Sequence, residues 1–156
     1  MRVAYAIFLI LSLFFFSLTI VPPYMVSCGT GWAGGFAAAV FSPFCHQLPE
    51  RSLFLWGVQA PVCARCFGIY AGILAGTILY AVLSDKKVPG RHIIIAAALP
   101  LVLDGATQFV GLRESNNALR LVTGVIFGSV VPYYLIPVFD GILSDWMVFI
   151  RRRRLL

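Results

Sequence analysis

Long uninterrupted apolar runs organise this chain, in place of the alternating or striped patterns of a water-soluble fold. Residues 3–21 carry no charged side chain and predict a helix that Pro22-Pro23 closes. Residues 66–83 are again uncharged and stop at Ser84-Asp85-Lys86-Lys87. Residues 93–112 contain Asp104 and Gln108, and residues 121–139 contain Pro132 and Pro137. Each run reaches the length that about 30 Å of hydrocarbon demands of a helix, and the polar stretch 113–117 joins the last two as a short hairpin. The expectation is an all-α fold, a polytopic membrane bundle of four transmembrane helices forming a single membrane domain over residues 1–156.

Two further segments are apolar without being spans. Residues 29–44 are short, and Gly29, Gly31, Gly34, Gly35 and Pro43 weaken their helical propensity, which predicts a re-entrant or interfacial segment. In the tail, residues 140–156, one helical arc gathers Ile142, Leu143, Trp146, Met147, Phe149 and Ile150 opposite Asp140, Ser144 and Val148. That pattern predicts a C-terminal amphipathic helix lying in the membrane interface. Gly68, Gly72 and Gly76 recur at every fourth position, so they mark a face that a neighbouring helix can approach closely.

Composition supports the membrane reading and removes its competitors. With 60% hydrophobic and 12% charged residues, and a mean hydropathy of +0.92, the chain carries more apolar surface than a small soluble globule can hide. Disorder and a nucleic-acid arm are excluded by the same arithmetic, so the partner expected first is membrane lipid and no nucleic acid. The net charge of +6 comes from twelve Lys and Arg against six Asp and Glu, and it is distributed as a topology signal. Arg2, Lys86, Lys87, Arg91 and the run Arg151 to Arg154 place both termini and the middle connection in the cytoplasm of a multi-pass cell-membrane protein. Residues 22–61 and 113–117 are then extracytoplasmic.

With that orientation the unusual polar residues fall on the outer side. Cys63-Ala-Arg-Cys66 has the spacing of a zinc knuckle, and Cys45 with His46 supplies further donors for a set of three thiolates and an imidazole. Adjacent Cys45 and His46 rarely both face one ion without strain. The four cysteines equally permit paired disulfides, Cys63 with Cys66 and Cys28 with Cys45. A Cys-x-x-Cys at the outer end of a span is similar in placement to quinone-linked disulfide-forming enzymes, although residues 113–117 lack the second cysteine pair of the bacterial ones. A third constellation, Arg51, Arg65, Arg113 and Arg120 with Gln108, Ser115, Asn116 and Asn117, suits a phosphate or carboxylate, and on the outer leaflet a lipid headgroup. Asp104 and Gln108 share a helix face, and charges at that depth are expensive, so Asp104 is expected to turn inward toward Arg120. Alternatively Asp104 is the midplane carboxylate of an ion or small-solute transporter, a reading that four spans without an inverted repeat make attractive only for a homo-oligomer.

These residues carry a resemblance. Cys45-His46-Gln47, Arg51-Ser52, Pro61-x-Cys63-Ala64-Arg65-Cys66-x-Gly68-Ile69-Tyr70-x-Gly72, Asp104-Gly105-x-x-Gln108, Arg113-Glu114-Ser115-Asn116, Arg120 and Thr123-Gly124 resemble a family of small predicted integral membrane proteins of unknown function, over roughly residues 43 to 130. The family brings no activity with it. Its signature includes Cys45, Cys63 and Cys66 and has no counterpart of Cys28, which implies a three-cysteine site completed by His46 or Asp104. The leading expectation is a zinc-dependent enzyme that hydrolyses or transfers a group of an anionic or lipid-linked substrate. Cys45, His46, Cys63 and Cys66 are its candidate metal ligands, Asp104, His46 and Gln108 its candidate catalytic groups, and Arg65, Arg113, Asn117 and Arg120 its candidate substrate contacts.

Overall fold

The computed structural model describes residues 2–82 and 88–153. Its elements are α1 (Arg2–Ser27), α2 (Gly31–Phe41), a 3-10 turn (Pro49–Arg51), β1 (Ser52–Leu55), β2 (Val58–Cys63), α3 (Ala64–Val82), α4 (Arg91–Phe109), α5 (Asn117–Val130) and α6 (Pro132–Arg153). Among the described residues, four helical stretches are long and apolar enough to cross a membrane: Val3–Ser27, Ala64–Val82, Arg91–Phe109 and Asn117–Trp146. The expected helical membrane bundle is therefore present. The topology markers Lys86, Lys87 and Arg154 lie outside the described residues.

Several boundaries differ from the expected ones, each for a physical reason. The first helix does not end at residue 21; it runs through Pro22 and Pro23, both buried, to Ser27. Each proline removes one N–H donor and crowds the preceding turn, but in an apolar helix packed neighbours accommodate that loss. The fourth span begins earlier than residue 121, because Asn116 caps it: its Oδ1 accepts from the Leu119 backbone N–H at 2.7 Å. Helices α5 and α6 then part at Val131, just before Pro132. No boundary falls at residue 140, since α6 continues unbroken past Asp140 to Arg153. Within residues 29–44 the regular part is the eleven-residue α2, which starts beyond Gly29, a residue at φ 95°.

The region between α2 and α3 holds an antiparallel hairpin that the apolar pattern did not predict. Trp56 and Gly57 both adopt positive φ, 51° and 76°, so they form the two-residue primed turn that matches strand twist. Leu55 pairs with Val58 and Phe54 with Gln59, but Ser52 pairs with Cys63, so β2 carries extra residues at an irregularity. Pro61, which has no N–H to offer a ladder, lies within that irregular stretch.

The tightest helix contact is the α3–α5 seam. A Cβ added at Gly68, Gly72 or Gly76 would run into the backbone of Leu121, Val125 or Ser129, and one added at Gly124 or Gly128 into the backbone of Arg65 or Ile69. The four-residue glycine spacing therefore does what it predicts, letting two backbones touch. One consequence bears on the site: the first turns of α3 and α5, with Arg65, Cys66 and Arg120, are held side by side. Farther along the helices, Tyr80 contacts the rings of Tyr5 and Tyr133, and Tyr134 donates its hydroxyl to the Gly90 carbonyl at 2.9 Å.

Candidate metal centre

A loop, a strand and a helix deliver three sulfurs to one place. Cys45 follows the end of α2, where its backbone N–H still donates to the Phe41 carbonyl at 3.0 Å. Cys63 ends β2, and Cys66 lies in the first turn of α3. Their Sγ atoms all lie within 4.8 Å of one another. Sulfurs at the corners of a tetrahedron with metal–sulfur bonds of about 2.3 Å sit about 3.8 Å apart, a spacing that falls within that limit. Cys45 is buried in a small core with Phe41 and Val62, against which Phe15, Phe67 and Tyr70 pack.

The loop is held in this shape by polar contacts that the sequence does not advertise. Gln47 adopts φ 54°, which turns the chain after Cys45-His46. Its side-chain amide donates to the Ala38 carbonyl at 2.7 Å, while the Gln59 amide donates to the Gln47 carbonyl at 2.7 Å. Ser52 donates to the Leu48 carbonyl at 2.9 Å, and Asn117 on α5 donates to the Ser52 carbonyl at 3.2 Å. Loop, hairpin and α5 are thereby one unit. The Cys63 backbone N–H donates to the Cys45 sulfur at 3.2 Å. Hydrogen bonds from the Cys63 side chain and then from Cys66, with that backbone donor, hold the Cys45 thiol far below its ordinary range and favour its thiolate.

The remaining candidate residues distribute around this trio. His46 is exposed and is not among the clustered donors, but it lines a cavity of about 200 Å³ together with all three cysteines, Arg51, Arg65, Gln108 and Arg120. Facing alternate directions from consecutive residues, Cys45 and His46 do not meet at one point. Asp104 is likewise not in the sulfur group. Its carboxylate, 3% exposed, accepts from the Arg65 guanidinium on one oxygen and from Arg113 at 2.8 Å on the other. The expected Asp104–Arg120 contact is thus replaced, because Arg113 folds back from the α4–α5 connection and Arg65 reaches across from α3. Arg120 instead donates to Asn117 Oδ1 at 2.8 Å, so Asn117 spends both ends of its amide on positioning. Cys28 stands exposed at the end of α1, apart from the trio.

The hairpin was the missing piece, and Trp56-Gly57 between Leu53-Phe54-Leu55 and Val58 was its available signal. Gln47, Gln59 and Ser52 offered none, since their partners are backbone carbonyls brought near only by the fold.

No solved structure matches this chain. An uncharacterized protein of Methanocaldococcus jannaschii, MJ1492, is 44% identical over 147 residues, covering 89% of this chain and 94% of its own. An uncharacterized protein of Methanothermobacter thermautotrophicus is 43% identical over 90 residues, 56% of this chain and 80% of its own. The model of the family described as predicted membrane protein (DUF2085) matches residues 45–134, a stretch that opens on Cys45 and takes in the hairpin, all three clustered cysteines, Asp104 and Arg120. The chain is a membrane protein and belongs to that family.

Proposed function

We propose that the protein is a membrane metalloenzyme in which Cys45, Cys63 and Cys66 hold one zinc ion and the adjoining cavity admits an anionic substrate for hydrolysis or group transfer. The single observation that carries this reading is the convergence of three sulfurs, from the loop after α2, the end of β2 and the first turn of α3. Thiolate donors select soft or borderline ions, and three protein ligands leave a coordination position free. All three cysteines line a cavity that Arg65, Gln108 and Arg120 also border, so a bound ion would be held beside groups able to bind an anionic substrate. When bound, the ion would supply a water whose pKa is lowered to about 7, or polarise an oxygen of the substrate. His46, exposed on the same wall, is the group able to take a proton there. Asp104 fixes the direction of Arg65, a positioning role. The third sulfur also separates this site from a two-cysteine redox pair, which would leave one thiol unused. The positive-inside pattern of the sequence supports an extracytoplasmic cysteine end in this reading.

The test is metal content per chain in protein purified without chelator or reductant, read beside the free-thiol count. About one zinc per chain is expected, lost in Cys63→Ser and kept in Cys28→Ser. A metal-free protein with fewer than four reactive thiols would replace this reading by disulfide chemistry.

A further inference from the structure

Arg51, Gln108 and Arg120 are shared between two cavities. One is the cavity of the three cysteines; the other, about 540 Å³, is also bordered by Arg113 and Ser115 and by the carboxylates Glu50 and Glu114. The three shared residues come from the 3-10 turn, α4 and α5, so they stand where the two cavities meet.

Arg120 is the informative member. It is 5% exposed, its guanidinium donates to Asn117 Oδ1 at 2.8 Å, and its buried Nε has no hydrogen-bond partner among the described residues. Among the described residues no carboxylate lies within ion-pairing distance of it, because Asp104 is taken by Arg65 and Arg113 and the Glu50 carboxylate is 3.9 Å from Arg51. A buried guanidinium without a resident anion is costly to keep. It is retained without that penalty if an anion arrives and occupies the junction.

We propose that Arg120, Arg51 and Gln108 form a phosphate-binding site at the junction of the two cavities, which makes the substrate of the metal centre a phosphate ester. Phosphate fits better than carboxylate. One arginine fork satisfies the two coplanar oxygens of a carboxylate, whereas two guanidinium groups and an amide from three separate elements match several oxygens pointing apart. The ester assignment rests on the metal-centre reading; the phosphate site itself stands on Arg120.

Calorimetric titration of the full chain in detergent, with zinc measured on the same samples, tests this. The probes are glycerol 3-phosphate, dioctanoyl phosphatidic acid and, as the carboxylate control, dioctanoylglycerol hemisuccinate. We expect one phosphate probe bound per chain. Arg120→Gln and Arg51→Gln should each weaken it about tenfold or more, with zinc content unchanged. Arg51 is partly exposed, so its variant keeps a folded protein even where Arg120→Gln does not. Preference for phosphatidic acid assigns the phosphate to a membrane lipid, and equal binding of both phosphate probes assigns it to a soluble ester; either supports the site. Zinc-free protein that still binds phosphate through Arg120 would remove the metal reading and leave the anion site standing. No phosphate binding by folded protein, binding indifferent to both variants, or equal affinity for the hemisuccinate would overturn the proposal.

Discussion

Helices α3 and α4 have the same length and the same mean hydropathy over their apolar windows, 19 residues and 1.5, yet they are held in the molecule by different forces. In α3, 28% of the window is buried, and glycines bring its backbone against that of α5. In α4 only 11% is buried, with Ala97 and Asp104 its only buried residues. Lipid solvates an apolar side chain as well as a neighbouring helix does, so hydrophobicity supplies little reason for helices to associate within a membrane. What remains is close packing or polar contact. Helix α3 uses the first; α4 relies on the second, at Asp104 toward one end and at its Gly90 cap toward the other. The three clustered cysteines belong with the packed region, whereas Gln108 and the carboxylate that pairs with Arg65 sit on the helix held by charge.

The strongest way to break the comparison is to spoil the seam. Gly72→Leu should abolish the folded state, because the added side chain meets backbone atoms of Val125, Gly128 and Ser129, which cannot rotate aside. Overpacking against movable side chains costs about 1–3 kcal/mol, and fixed backbone should exceed that range. Gly35→Ala on α2 meets nothing within 4 Å and serves as the control. Thermal melting in detergent separates them; a Gly72→Leu protein that melts like the parent would mean that α3 and α5 are not held by close approach.

The second effect is smaller and confined to α4. Asp104→Asn strands Arg65 and Arg113, whose side chains are 25% and 49% exposed and can partly recover solvent, so the loss should be roughly 2 kcal/mol rather than the larger cost of an enclosed pair. Hydrogen exchange should rise across α4 while α3 stays protected. In double-mutant cycles Asp104 should couple to Arg113 and much less to Arg120. Equal coupling to both would mean that one shared charge cluster, rather than two defined ion pairs, holds α4.

The difference between these helices also explains what could be read from the sequence. The four spans are legible because the absence of charge over a membrane's width is a local property, and the seam is legible because glycines every fourth residue share one face. Cys45, Cys63 and Cys66 stand out as rare residue types in short clusters. Their convergence depends on the hairpin, whose ladder follows from a turn with Trp in place of the usual Asn or Asp. Asp104 was recognisable as an inward carboxylate from the cost of exposing it to lipid. Its partner was not, because guanidinium side chains reach far enough that helical register alone favours Arg120, while the chain path after α4 returns Arg113 to the carboxylate.

The smallest effect probes the far end of the charge-held helix. Tyr134 donates to the Gly90 carbonyl at 2.9 Å, tying the start of α6 to the residue that caps α4. Its contact is exposed, so water can replace the lost donor in Tyr134→Phe and the cost should be about 0.5–1 kcal/mol. The ring is retained, leaving apolar packing unchanged and isolating the hydroxyl. If polar contacts at its two ends hold α4 independently, this loss should add to that of Asp104→Asn, since the two positions lie more than two helical turns apart along α4. Hydrogen exchange should then rise first in the opening turn after Arg91 for Tyr134→Phe and near Asp104 for Asp104→Asn. A double variant clearly less stable than the sum would instead show that each contact limits the damage from losing the other, and that α4 docks or detaches as a single unit.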